Sequence, residues 1–159
     1  MVLVRRTTID PEFFVPADMK KYRQAAQLLQ QAERRKASGL LEKILAERAE
    51  VERHIISQHY KGNRVMSNCQ AGTLTAIIGE EGDVRPCEIL DTSFGNLRDY
   101  GYSLSKVWKS NHANQHRLKI KKEKCFCTFE TCVRTTMVFQ PQWLGKTLKS
   151  FVQNNLRST

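Results

Sequence analysis

The chain has 159 residues, with 26 lysines and arginines against 16 aspartates and glutamates, for a formal charge of +10 and a pI of about 9.6. A hydrophobic fraction of 40% with 26% charged residues is ordinary for one folded domain plus a short flanking piece, and it excludes wholesale disorder, a collagen-like repeat and a membrane bundle. The five cysteines are an odd number, which excludes a fully paired disulfide set within the chain.

Residues 2–9, VLVRRTTI, read as a short strand of β-branched and apolar residues. Asp10-Pro11 ends it, because the residue before proline avoids the helical region. The basic, apolar, small-residue order of a secretory signal is missing, and no apolar run approaches the roughly 18 residues that span a bilayer. The expected compartment is the cytoplasm, where thiols stay reduced and clustered cysteines hold metal or do redox work.

From about Ala17 to Tyr60 the pattern is helical. Met19, Tyr22, Ala26 and Leu29 form one apolar stripe; Leu41, Ile44, Leu45, Ile55 and Ile56 form a second. Ser38-Gly39 breaks the run into two helices, since glycine costs about 1 kcal/mol inside one. A single strand cannot satisfy its own backbone groups. The first 60 residues therefore read as part of something larger, or as needing to pair with the second half or with another chain.

After Asn68 the texture changes. Thr73–Ile78 reads as a strand, Gly79–Gly82 as a turn and Asp83–Cys87 as a returning strand, together a hairpin. Gly95-Asn96-Leu97 reads as a further turn. Leu104, Val107 and Trp108 mark a short helix, followed by a basic one to about Lys121. The tail after Cys132 reads as helices divided near Pro141. The fold class is thus α+β.

The chemistry concentrates in the cysteines. Cys69 and Cys87 flank the hairpin, which brings them together. Cys125, Cys127 and Cys132 lie in the string CFCTFETC. Four thiolates suit zinc or an iron–sulfur cluster, and the spacing is not that of a zinc ribbon with paired C-x2-C knuckles. If extended, Cys125 and Cys127 face the same side, so spacing does not choose between them. The predicted ligands are Cys69, Cys87 and Cys132 with one of Cys125 and Cys127.

The segment CQAGTLTAIIGEEGDVRPCEILDTSFGNLRD carries, in order, C-x-A-G, a hairpin, G-x-V-x-P-C and G-N-L-R. With Lys106–Ser110 and the closing cysteines, residues 68–132 resemble the SPASM/twitch domain, the C-terminal extension of many radical S-adenosylmethionine enzymes. The resemblance implies auxiliary 4Fe–4S clusters. Full members carry about seven cysteines for two clusters; five here imply one cluster and one spare thiol. C-x-C-x4-C also departs from the fuller C-x2-C-x5-C-x3-C ending.

No C-x3-C-x2-C triplet, which in that family holds the cofactor-cleaving cluster, occurs in the chain. Residues 1–64 resemble the last strand and helices of the family's partial (β/α) barrel, and residues 65–159 the cluster domain with a helical tail. The resemblance implies the C-terminal part of a radical S-adenosylmethionine protein, inactive alone. S-adenosylmethionine would bind only in the full parent, whose missing core is the expected partner and a peptide a possible substrate.

Other groups read as less specialised. His112 and His116 share a helix face but lack a partnering acid, and they read with His54 and His59 as surface or capping residues. Glu80 and Glu81 read as solvated turn residues. Arg5 or Arg6, on the expected barrel strand, could touch substrate or form a surface ion pair. Trp108 and Trp143 read as core anchors. The densest basic run, Lys106 to Lys124, allows an alternative: a basic zinc module that contacts nucleic acid. The overall charge does not favour it, because residues 1–64 and 65–159 each hold 13 basic and 8 acidic residues.

Overall fold

The computed structural model of the protein describes residues 18–66 and 68–155. The expected strand at residues 2–9, with Arg5 and Arg6, lies outside them. Six helices and one small sheet follow in chain order: α1 Met19–Lys36, α2 Leu40–Tyr60, β1 Ile77–Ile78, β2 Asp83–Arg85, β3 Gly95–Asn96, α3 Leu104–Trp108, α4 Asn111–Lys122, α5 Glu130–Val138 and α6 Pro141–Asn155. Among the described residues no helix is long and apolar enough to cross a membrane.

The helix breaks fall where the local chemistry puts them. The Asp18 carboxylate accepts the amides of Lys20 and Lys21 and starts α1. Glu42 reaches back to the amides of Ser38 and Gly39 and starts α2. Pro141 opens α6, where its missing N–H is no loss. Cys132 lies inside α5, so the tail helices begin earlier than expected.

Helices α1, α2, α5 and α6 pack round one core. Val51, Ile55 and Ile56 of α2 meet Val133 and Met137 of α5, Trp143 of α6 and Met66. Each such side chain contributes about 1.5–3 kcal/mol by burial. The expected apolar stripes are only partly the buried ones. Leu29, Leu41 and Leu45 are exposed, while Gln30, Glu47 and Glu52 are buried. These three polar groups are paired: Glu47 accepts from Arg34, Ser150 and Asn154, Glu52 accepts from Arg134, and the Gln30 amide donates to the Ala46 carbonyl. Pairing removes the penalty that would otherwise turn this face outward.

The sheet is antiparallel, in the order β1-β2-β3, with Ile77 opposite Arg85 and Asp83 opposite Asn96. The hairpin is as expected, but its strands are shorter: β1 starts at Ile77 rather than Thr73 and β2 ends at Arg85. Gly82, at φ 87°, serves the turn. Gly95-Asn96, expected as a turn, is a third strand; the Phe94 amide already donates to the Val84 carbonyl and sets its register. Val84, Phe94, Val107 and Ala113 form a second core, with Trp108 packed against it. Gly72 is crowded at this core: at φ 72°, an added Cβ would lie 2.6 Å from Phe94 and 2.9 Å from Pro86.

Candidate metal centre

The five cysteines come from three stretches of chain. Cys69 precedes the hairpin and Cys87 follows β2 by two residues. Cys125 and Cys127 occupy the connection from α4 to α5, and Cys132 sits in the first turns of α5. All five line one cavity of about 680 Å³, whose mouth carries Arg64, Asp91, Glu123 and Lys124. Cys87 and Cys132 are buried; the other three are partly buried. Among the described residues no group of three or more His, Cys, Asp or Glu side chains forms a ready-made single-ion site.

The end of α4 aims the cysteine loop. The Lys124 amide donates to the Lys121 carbonyl and the Cys125 amide to the Ile120 carbonyl. That is a Schellman closure, which requires a left-handed residue between the two. Lys124 supplies it at φ 48°.

The thiols hydrogen-bond to one another. Hydrogen bonds from the Cys125 and Cys132 thiols pull the Cys69 thiol down to about 3, aided by the Ala71 amide and the Thr136 hydroxyl. The Cys132 thiol pulls Cys87 down to about 7, aided by the Leu90 and Ile89 amides. Cys127 is lowered by Cys132 and by the Phe129 amide. Cys125 is raised by its bond to Cys69, and Cys132 is raised by bonds to Cys127, Cys69 and Cys87. The sulfurs of Cys69, Cys87 and Cys127 thus all neighbour Cys132. A soft multivalent cation core can bind several thiolates at once.

Cys127 and Cys125 differ in setting. Cys127 packs with Cys69, Cys87 and Cys132 in one apolar cluster that also holds Ala71, Ile89, Leu90 and Phe129, and Cys125 is outside it. The Thr136 hydroxyl, on α5, accepts the Gln70 amide at 3.0 Å and so anchors the Cys69 loop.

His59, expected at the surface, is buried. Its Nδ1 lies 2.7 Å from the Cys127 carbonyl, and its Nε2 accepts the Met66 amide at 3.3 Å. Burial pushes its pKa down against the upward pull of that carbonyl. The Phe126 ring stands edge-on to the imidazole at 5.4 Å, and the Arg64 guanidinium lies 4.5 Å from the Phe126 ring centre. One sequence signal was available: His59 continues the stripe of Glu52, Ile55 and Ile56 at spacings of three and four.

The remaining candidates stay apart from the cavity. His54 is exposed, as are Glu80 and Glu81 in the hairpin turn. His112 and His116 face each other on α4, Nε2 to Nε2 at 3.1 Å. Trp143 is buried in the helical core.

A cavity ringed by five cysteines between a short hairpin and a helix brings soft sulfur donors from three stretches of chain to one place. Residues 69–133 match the family model of SPASM, the iron-sulfur cluster-binding domain. No match was found to a curated protein or to a solved structure.

Proposed function

We propose that the cavity holds one 4Fe–4S cluster, ligated by Cys69, Cys87, Cys127 and Cys132, with Cys125 as the spare thiol. The observation that carries this reading is the convergence of five thiols from three chain segments on one cavity. The shared packing of Cys127 with the other three favours it over Cys125 as fourth ligand. Such a cluster supplies one-electron transfer or simply cross-links the segments that hold it. Full ligation by protein thiols favours these roles over substrate binding at an open iron. The backbone amides aimed at Cys69, Cys87 and Cys127 stabilise their thiolate forms, as ligation requires.

In this reading the chain is the auxiliary part of a radical S-adenosylmethionine enzyme of the cytoplasm. Its N-terminal residues would be the end of the partial barrel, and the core would be supplied upstream or by a separate chain. Support comes from the SPASM match and from the absence of a C-x3-C-x2-C triplet in the 159 residues. A peptide substrate rests on the resemblance alone. Genomic sequence upstream should reveal a C-x3-C-x2-C frame; its absence nearby would count against the parent enzyme.

Anaerobic purification with metal analysis tests the cluster itself. The expected product is brown, with about four iron and four sulfide per chain. Colourless protein with one zinc would overturn this reading. Nucleic-acid affinity that falls steeply with salt would then point to the basic run of Lys106 to Lys124.

A further inference from the structure

The SPASM match begins at Cys69, yet one of the closest contacts to the cysteine loop comes from ten residues earlier. We infer that His59 of α2 is a positioning residue for the cluster, which fixes the backbone at Cys127 so that this thiol stays packed with the other three ligands. The inference rests on the cluster-binding reading above and extends it to a residue outside the matched segment.

The hydrogen-bond partners determine the tautomer. A carbonyl only accepts, so the Nδ1 that lies 2.7 Å from the Cys127 oxygen carries the proton. An amide N–H only donates, so the Nε2 that faces Met66 presents its lone pair. The ring is therefore neutral, both nitrogens are used, and neither is left to bind metal. The two contacts prevent the ring from flipping, because a flip would put ring C–H groups where Nδ1 and Nε2 stand and would lose both hydrogen bonds.

The clamp acts at one point on the loop. Only Phe126 separates Cys125 from Cys127, and its ring contacts both His59 and the Arg64 guanidinium. His59 lines the same recess as Cys69, Cys125, Cys127 and Cys132. With the carbonyl of Cys127 fixed and the Phe126 ring against His59, rotation of the loop that would exchange the two thiols breaks the hydrogen bond and the ring contact together.

Two conservative variants separate the halves of the clamp. In His59→Asn the amide nitrogen can occupy the place of Nδ1 and keep the bond to the Cys127 carbonyl. In His59→Gln the polar end reaches the place of Nε2 instead, keeping the Met66 contact and losing the clamp. The full chain and both variants are reconstituted anaerobically with ferrous iron and sulfide. Cluster loss to a chelator is followed by visible absorption, and the reduced cluster by electron paramagnetic resonance. Loss about tenfold faster in His59→Gln, with a changed resonance spectrum, and near-parent behaviour in His59→Asn are expected. Equal behaviour of the two variants would overturn the inference.

A second readout needs no cluster. In the metal-free reduced chain, alkylation of Cys127 should accelerate in His59→Gln relative to the parent while Cys69 and Cys87 keep their rates. Unchanged Cys127 alkylation would overturn the clamp. If the parent binds no iron, the cluster reading falls by itself, and the alkylation result still decides the role of His59.

Discussion

The Glu52 carboxylate on α2 receives both arms of the Arg134 guanidinium on α5, Nε to Oε2 and a terminal nitrogen to Oε1, each at 3.0 Å. The pair is lopsided: the Glu52 side chain is 5% exposed and that of Arg134 49%. Removing Arg134 strands a buried carboxylate, whereas removing Glu52 frees a guanidinium that water can reach. Arg134→Ala should therefore cost about 2–3 kcal/mol and Glu52→Gln about 1 kcal/mol, both discounted for the solvent at Arg134. Urea unfolding of the two variants checks the asymmetry; equal losses would show that the pair contributes nothing beyond packing.

Single cysteine substitutions should sort into two groups. Cys69→Ala, Cys87→Ala, Cys127→Ala and Cys132→Ala are expected to lose most bound iron after reconstitution. Cys125→Ala should retain it, since four thiolates complete the cluster. Iron per chain measures this directly. Retention by Cys127→Ala together with loss by Cys125→Ala would reverse the assignment of ligand and spare.

Acid should weaken the contact of α2 with α1 and α6. Burial pushes the Glu47 carboxyl up, but hydrogen bonds from Arg34, Ser150 and Asn154 outweigh it and hold the group below its ordinary 4.5. A carboxyl lowered in the folded state stabilises fully above its unfolded value and loses that contribution as pH falls through its folded value. Stability measured by denaturant from pH 6 downward should drop below about pH 4.5. Glu47→Gln should be less stable at pH 6 and show a shallower decline. A parallel decline in both proteins would assign the acid sensitivity elsewhere.

Lys124→Gly should stabilise the chain. The left-handed conformation costs a residue with a Cβ about 1 kcal/mol, which glycine does not incur. The gain should appear as a higher melting temperature, with the iron content unchanged. A lower melting temperature would mean that the Lys124 side chain contributes more than its backbone strain costs.

The cysteines and the helix breaks were legible because their signals are local. The spacing of CFCTFETC, the hairpin between Cys69 and Cys87, Ser38-Gly39 and Pro141 each act within a few residues. The buried face of α2 was not, because Glu47 and Glu52 look like surface residues until their partners are known. Those partners are 82 residues away for Glu52 and up to 107 for Glu47. Gly95-Asn96 looked like a turn because nothing nearby marks it as a strand; its pairing with β2 decides. His59 was missed for the same reason, since its bond to Cys127 spans 68 residues.

The clamp by His59 bears on how such a segment can be inherited. Residues 69–133 are recognisable as a unit, yet part of the scaffold that orients Cys127 lies in α2, and the Cys69 loop leans on Thr136, just beyond the other edge. Grafting the recognisable stretch into a foreign host would carry all five thiols and leave behind two of their supports. The transferable unit is longer than its sequence signature, and a recombination breakpoint at either edge would separate ligands from the groups that aim them.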